Sequence, residues 1–289
     1  MNTIFSRLLL AAFALLAVVP SSFSQQQPAE KKGPVAKIYI ADVKGEGQIE
    51  SGGKIYPIRQ STAFDAMGTA IEIRAKSYSA IVYSNGTGLF MDENTRVEIE
   101  RFVQQPFQPR KDSTLDTTHE PSMSQSNVTL RYGAIGISTN QLHSGSSMTY
   151  ATRLASITIP GGKLVIEVLT DETHVDQLEG DVTIHLAGKD SGGRVLHAGE
   201  RAVIRAASDP SLDPVITIMP IPDDARKQDE QRVARASSGR KTVTFEALAV
   251  ASGESGDEAA GAEEIVARPT VPSDPPTNIV ISPDRLPGT

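Results

Sequence analysis

The 289-residue sequence contains no cysteine and no tryptophan, and only 5% of its residues are aromatic. Without cysteine the chain has no disulfides, no thiolate nucleophile and no cysteine-ligated metal. With so few aromatic rings it has little surface on which sugars or bases would stack. Its stability must therefore come from an ordinary hydrophobic core, for which the 39% of hydrophobic residues provide the material.

Acidic residues outnumber basic ones, 35 to 28, which gives a formal net charge of -7 at pH 7. Nucleic acids and anionic membrane surfaces are themselves negatively charged and are bound through basic patches. We therefore expect neither nucleic acid nor a membrane surface among the partners of this protein.

The N-terminus has the three parts of a secretory signal peptide. Arg7 is the only charged residue of Met1–Ser24, Leu8–Val19 is a continuous apolar run, and small serines close the segment. This pattern predicts a signal peptide over residues 1–24 that is cleaved between Ser24 and Gln25, and hence a periplasmic or secreted protein. Twelve apolar residues are too few to span a bilayer, so no transmembrane segment is expected after cleavage.

Composition divides the rest of the chain into pieces. Residues 25–34 form a short polar linker, and residues 35–206 carry the alternating or contiguous Ile, Val, Tyr and Phe of β-strands. A polar segment over 104–127 interrupts them. Structureless loops of this length are unusual in compact domains, so the segment is either a functional excursion or a solvated insertion, and we prefer the insertion. Residues 207–289 are rich in Pro, Ala, Gly and acidic residues, with Phe245 as the only aromatic. Such a composition predicts a low-complexity, mostly disordered tail.

Two stretches within this tail have a structural pattern of their own. Asp223–Ala236 carries opposite charges four residues apart, such as Arg226 and Glu230, which predicts a short solvated helix. Lys241–Ala247 alternates polar and apolar residues, which is the pattern of a strand.

A Gly-Gly-basic-aliphatic phrase occurs three times, at Gly52-Gly53-Lys54-Ile55, Gly161-Gly162-Lys163-Leu164 and Gly192-Gly193-Arg194-Val195. Paired glycines reach positive φ without steric cost, so each phrase predicts a tight turn between antiparallel strands. The alternative of a phosphate loop fails at the first copy, because Ile55 replaces the hydroxyl that binds magnesium and Pro57 opposes the required helix.

The strongest predicted hairpin unit is Ser79–Phe102, which includes a second turn at Asp92–Asn94. Ala80–Tyr83 is a buried type of strand, and Leu89–Met91 returns as its partner. Between them, Asn85 and Gly86 form the pair that favours a type I′ turn.

A weaker repeat precedes two of the Gly-Gly phrases. Glu46–Ile49 and Glu179–Val182 share the form Glu-Gly-polar-aliphatic, and each leads to a Gly-Gly turn and another strand. The spacing is too irregular for a solenoid. It indicates a related strand-turn-strand unit at both ends of one domain.

These strands resemble a known domain. Ser79–Val82 leading through Asn85-Gly86 to Asn94–Val97, and later Leu178–Val182 and Leu196–Val203, are similar to a FecR-type domain, a periplasmic module named after a ferric-citrate regulator. The resemblance covers residues 35–206. It implies an all-β, rolled or β-helix-like domain of short hairpin-connected strands that acts by protein contact, without turnover.

Two residue pairs are candidates for chemistry. Glu98 and Glu100 share a strand face at about 7 Å, a spacing compatible with glycosidase carboxylates. His174 and Asp176 would place two metal ligands on one side of a strand. The first pair lacks an opposing surface and the second lacks a third ligand. We therefore predict no catalytic residue, cofactor-binding residue or metal ligand, and a protein that is not an enzyme.

The preferred hypothesis is an exported, non-enzymatic FecR-domain protein of the bacterial envelope that binds another envelope protein or an envelope polymer, in sensing or regulation. One alternative is a hydrolase of an envelope polymer that uses surface carboxylates or the polar segment over 104–127. It requires a deep cleft and a carboxyl group with a raised pKa. The other is a structural or adhesive surface protein whose tail serves as a spacer.

Overall fold

The structure is a computed structural model that describes residues 36–107, 119–188, 192–209, 212–249 and 263–270. The predicted signal peptide, its cleavage site at Ser24 and Gln25, and the linker over 25–34 lie outside the described residues.

Within the described residues the chain forms strands, one α-helix and one short 3-10 turn, Arg240–Thr242. The elements are β1 (Lys37–Lys44), β2 (Gly47–Ser51), β3 (Lys54–Pro57), β4 (Ala63–Asp65), β5 (Thr69–Ile73), β6 (Tyr78–Tyr83), β7 (Gly88–Met91), β8 (Thr95–Gln104), β9 (Ser124–Thr139), β10 (Ser147–Ala151), β11 (Ala155–Thr158), β12 (Gly162–Val168), β13 (Glu172–Glu179), β14 (Val182–Leu186), β15 (Arg194–Leu196), β16 (Glu200–Arg205), β17 (Val215–Pro220), α1 (Asp223–Gly239), β18 (Val243–Ala249) and β19 (Glu263–Pro269). The prediction of an all-β fold is confirmed.

Strands β1 to β17 form two layers that share one strand. Sheet A has the order β3-β2-β5-β8-β9-β10-β11-β14-β15. Sheet B has the order β4-β1-β6-β7-β9-β12-β13-β16-β17. All of these pairings are antiparallel except that of β9 with β10.

Strand β9 belongs to both layers because it bends at Gly133. Its first part pairs with β8 and β10 in sheet A, and the part from Gly133 onward pairs with β12 in sheet B. Gly133 has a φ of 89°, and a Cβ on it would lie 2.3 Å from the hydroxyl oxygen of Thr95, so only glycine fits. The halves β1–β8 and β10–β17 thus flank one bent strand.

The main core lies between the two layers. Alternate residues of the strands point inward, as in β5 and β8, where Ile71, Ile73, Val97 and Ile99 are buried. Each fully buried side chain of this size contributes about 1.5–3 kcal/mol relative to an exposed one. The strict alternation therefore fixes which face of each strand turns inward.

The weak repeat corresponds to a repeated piece of architecture. Glu46–Ile49 leads from β1 of sheet B into β2 of sheet A, and Glu179–Val182 leads from β13 of sheet B into β14 of sheet A. Strands β2 and β14 then pair with β3 and β15, which are the two edge strands of sheet A. The expected strand-turn-strand unit therefore lies at both ends of the domain.

The prediction of a mostly disordered tail over 207–289 is wrong for Val215–Pro220 and Glu263–Pro269, which form strands. The helix and the strand predicted within the tail are confirmed as α1 and β18. Strand β17 extends sheet B, α1 follows it, and β18 pairs with β19. The physical reason is that the outer face of sheet B, the face turned away from the main core, is itself apolar and supplies a partner. Tyr39, Ala41 and Phe90 on that face pack with Ala236 of the helix and with β18 and β19.

Helix α1 is three residues longer than predicted, and one side of it is buried. Val233 and Ala236 are buried against the sheet, and the helix backbone lies directly on it. A Cβ on Gly88 would lie 2.2 Å from the carbonyl oxygen of Ala236, and one on Gly136 would lie 2.8 Å from Arg232. No helix in the described part of the chain combines the length and apolar character needed to cross a bilayer.

The polar segment expected over 104–127 is shorter than predicted at both ends. Gln104 is the last residue of β8, and Ser124–Asn127 already belong to β9. Residues 108–118 lie outside the described residues.

Candidate functional site

The first Gly-Gly phrase forms the turn between β2 and β3. Gly52 and Gly53 have φ values of 57° and 72°, as a two-residue type I′ turn requires. Lys54 follows as the first residue of a strand, whereas a phosphate loop needs a helix there. This segment is a hairpin and has no geometry for cradling a phosphate.

Asn85 and Gly86 connect β6 to β7, but the predicted type I′ turn is wrong. Only Gly86 has a positive φ, 87°, and its N–H donates to the carbonyl of Tyr83 at 2.8 Å. Asn85 is buried, and its side chain accepts from the Thr87 N–H at 3.1 Å and donates to Ser124 at 3.1 Å. The asparagine is therefore explained by the hydrogen bonds of its side chain, which the Asn-Gly pattern of the sequence does not reveal.

The other two Gly-Gly phrases occupy different kinds of connection. Gly161 and Gly162 lead from β11 in sheet A to β12 in sheet B, so the predicted hairpin turn is wrong there and the phrase marks a crossover. A Cβ on Gly162 would lie 1.9 Å from the carbonyl oxygen of Glu179, which explains the glycine. Gly192 and Gly193 lie immediately before β15, which does pair antiparallel with β14.

The carboxylates Glu98 and Glu100 lie on the outer face of sheet A. Glu98 forms ion pairs with Arg96 at 2.9 Å and Arg131 at 2.6 Å, and the hydrogen bond from Arg131 is the main reason that its pKa is lowered. Glu100 accepts from the hydroxyl of Thr129 at 2.6 Å. Glu98 is therefore held in its ionised form, which is the opposite of what a catalytic acid requires.

The candidate metal pair is engaged in other contacts. Both oxygens of Asp176 accept from Arg201, at 2.6 Å and 2.5 Å, and His174 lies 3.6 Å from Glu172. Among the described residues, no three His, Cys, Asp or Glu side chains are grouped so as to hold a metal ion.

The four edge strands of the two layers differ in how they are protected. Strands β3, β4 and β15 have three or four residues, and each carries a charged residue: Lys54, Asp65 and Arg194. Strand β17 has six residues, Val-Ile-Thr-Ile-Met-Pro, with no charge among them. Short strands, charges and prolines are the usual means of preventing edge-to-edge pairing. Strand β17 lacks the first two and has a proline only at its last residue, Pro220.

Strand β17 also exposes large apolar side chains. The exposed fractions are 60% for Val215, 38% for Ile218 and 38% for Met219. Leu212, just before the strand, is 63% exposed. Val215 and Met219 lie on the helix-side face of β17 and Ile218 on the opposite face, so this edge of sheet B exposes apolar side chains on both of its faces.

The hydrogen-bond register shows which main-chain groups of β17 are available. The N–H of Ile221 donates to the carbonyl of Gly199 at 3.0 Å. Met219 and Thr217 lie two and four residues before Ile221, so their N–H and C=O groups also point toward β16. In an antiparallel ladder the intervening residues direct their N–H and C=O groups to the other side. Ile216 and Ile218 therefore direct theirs away from β16. We call this side of β17 the open edge, since no described strand pairs with it.

A second unusual feature lies beneath α1, where three carboxylates meet two arginines. Arg232 of the helix contacts Asp92 at 3.0 Å and Asp229 at 3.3 Å, and Asp229 faces the Asp176–Arg201 pair of the sheet. Asp229 is buried, and this burial, followed by a hydrogen bond with Asp176, raises its pKa to about 7. Its Oδ2 atom has no donor against it, so the bond to Asp176 forms only when one of the two carboxyl groups carries a proton.

A groove of about 700 Å³ lies at the bend of β9, between the β7–β8 turn, the β12–β13 turn and α1. Its charged lining residues are Asp92, Glu93, Arg131, Arg153, Glu167 and Arg232. Asp229 does not line this groove. The carboxyl group with the raised pKa and this groove are thus separate features of the molecule.

The matches among solved structures include two chains from Parabacteroides distasonis ATCC 8503, each described as a "putative anti-sigma factor". One is 14% identical, has a TM-score of 0.39 and is matched over 55% of this chain and 62% of its own length. The other is 12% identical, with a TM-score of 0.36, over 57% of this chain and 74% of its own. No family model and no curated protein matches the chain. Similarity at this level carries no argument about function.

Proposed function

We propose that this protein is an exported, non-enzymatic component of the bacterial envelope that binds another protein by adding an extended segment of that partner to the open edge of β17. The observation that carries the proposal is that β17, alone among the four edge strands, is long, uncharged and apolar. Export rests on the predicted signal peptide, and action by protein contact agrees with the FecR-type resemblance.

Strand addition obtains its affinity from main-chain hydrogen bonds and its specificity from alternate side chains. The N–H and C=O groups of Ile216 and Ile218 are directed toward an incoming strand. On the helix side of the sheet, Val215 and Met219 would lie beside the partner's side chains. We therefore expect a partner segment that is extended and apolar on both faces.

The raised pKa of Asp229 does not favour the hydrolase alternative. This carboxyl group is enclosed between α1 and sheet B and does not line the groove at the bend of β9. The outer-face carboxylate Glu98 is ion-paired and ionised. Neither group combines access to substrate with readiness to donate a proton.

The proposal is tested by changing the main chain at the open edge without disturbing the ladder to β16. Ile218→Pro removes an N–H that is directed outward, so the fold should persist while an added strand loses a hydrogen bond. Ile218→Ala is the matched control, because it shortens the same side chain and keeps the N–H. Each variant is expressed in cells with a photo-crosslinking residue at position 215.

We expect one crosslinked protein with the parent chain, retained by Ile218→Ala and reduced at least tenfold by Ile218→Pro. A crosslinker at Ile55, which is 67% exposed on β3, should not capture the same protein. Equal capture by Ile218→Pro and Ile218→Ala, or no capture from position 215, would contradict strand addition.

A further inference from the structure

We propose that helix α1 is a pH-responsive strap, held on sheet B by a proton shared between Asp229 of the helix and Asp176 of the sheet, and that it docks more tightly in acid than in alkaline solution. The strap is α1 itself, Asp223–Gly239. This inference is independent of the binding proposed for the open edge.

The first argument is the local geometry. Asp229 is 1% exposed and points from the buried side of the helix toward Asp176, which is 2% exposed. Asp176 already receives both of its hydrogen bonds from Arg201, and Asp229 receives one, at 3.3 Å, from Arg232. The remaining oxygen of Asp229 has no donor. A proton placed between the two carboxyl groups satisfies it.

The second argument is the balance of charge at this interface. The groups that face Asp229 are Asp176 from β13, Arg201 from β16 and Arg232 from its own helix. Arg232 is shared with Asp92 in the turn after β7, and Glu167 of β12 also acts on Arg201. Fully ionised, these are four carboxylates against two guanidinium groups. Burying an excess of negative charge is costly, and a bound proton reduces that excess.

Another titratable residue, His174, lies two residues before Asp176 on the same strand, 3.6 Å from Glu172. A pH effect by itself therefore does not identify the residue that causes it. The test must therefore include a change at Asp229.

The third argument is what the strap covers. Beneath α1 and its continuation lie Ala41, Ala80, Val82 and Phe90, which form an apolar face on the outside of sheet B. When the helix leaves, this face and Gly88 become accessible. Helix α1 also follows the open edge directly, with two residues between β17 and its first turn. Docking of the strap therefore controls exposure of a second apolar surface.

The sign of the effect follows from linkage. A carboxyl group with a raised pKa binds more protons in the docked state than in the released state, so docking weakens as the pH rises toward the raised value. The pKa of Asp229 is ordinarily 3.8 and is about 7 in the docked state, so the equilibrium constant for docking should change roughly tenfold between pH 6 and pH 8. Above pH 8 the effect is complete, and no further change is expected from this group.

Hydrogen exchange of α1 in the full chain, corrected for the intrinsic effect of pH, tests the proposal. We expect protection of α1 to be roughly tenfold greater at pH 6 than at pH 8. In Asp229→Asn the amide donates to Asp176 at every pH, so protection should be high and independent of pH. Glu230→Gln removes an exposed carboxylate from the same helix and should behave as the parent chain.

Two results would overturn the proposal: no pH dependence in the parent chain, or an undiminished pH dependence in Asp229→Asn. A second measurement needs no variant. Titration of the Asp229 carboxyl carbon by NMR in the unmodified protein should give a midpoint near 7. A midpoint near the ordinary value of about 4 would also overturn the proposal.

Discussion

The two faces of sheet B are both packed, but they are packed by different means. The inner face meets sheet A through alternating aliphatic residues. The core between the two layers also holds Tyr83 of β6 and Tyr150 of β10, whose pKa values are raised by burial, so that neither ionises near neutral pH. The outer face meets α1 through a small apolar cluster beside the charged group of Asp176 and Asp229. The inner face should therefore be indifferent to pH, while the outer face responds to it.

The largest expected loss of stability comes from a substitution on the inner face. Ile137 is fully buried on β9, opposite Leu89 and Leu164. Ile137→Ala should lower the free energy of unfolding by about 2–5 kcal/mol, because it removes buried methyl groups and leaves a cavity. Urea unfolding measures this loss, which should be equal at pH 6 and pH 8.

Val195→Ala is the control for this change, since Val195 is 48% exposed on β15 and its truncation should alter the free energy by less than about 0.5 kcal/mol. A loss from Ile137→Ala that depended strongly on pH would break the comparison between the two faces.

An intermediate effect is expected on the outer face. A Cβ at Gly136 would lie 2.8 Å from the carbonyl carbon and Cβ of Arg232, so Gly136→Ala must push α1 outward. Overpacking of this kind costs about 1–3 kcal/mol. Hydrogen exchange should show faster exchange in α1, while the strands of the main core remain protected. Unchanged protection of α1 would mean that the helix is not seated as the structure has it.

The smallest effect is expected on the solvated face of sheet A. Glu98→Gln breaks ion pairs with Arg96 and Arg131, and should cost less than about 1 kcal/mol in low salt and still less in high salt. Because the pKa of Glu98 is lowered, its ion pairs stabilise the fold at pH values above the ordinary pKa of a glutamate. This stabilisation is lost as the pH falls below that pKa. Thermal unfolding of the parent chain and of Glu98→Gln between pH 3 and pH 7 measures this difference in stability. A difference that grew toward pH 3 would contradict the prediction.

The sequence predicted the main core better than it predicted the helix or the bend. Alternation of apolar residues is a local signal, so the all-β fold and the paired units before β3 and β15 could be recognised. The bend at Gly133 could not, because it depends on Thr95 of another strand. The burial of Asp229 was equally hidden, since a charged residue on a helix normally predicts a solvated face.

The tail shows why composition misleads over a long segment. Averaged over residues 207–289, the chain is too polar to build a core of its own. Val215–Pro220 is nevertheless a strand-like run, and it needed only an existing sheet edge to join. These six residues were the local signal in the tail that pointed to the open edge. Examining the tail in segments of about six residues, instead of averaging over its whole length, would have detected it.

The central claim is that the open edge of β17 is available for a partner, and the most direct measurement is residue-resolved amide exchange in the free protein. The N–H groups of Thr217 and Met219 are directed toward β16, and those of Ile216 and Ile218 are directed away. We predict slow exchange at the first two residues and rapid exchange at the other two. Slow exchange at all four would mean that the edge is already covered, which would contradict the account.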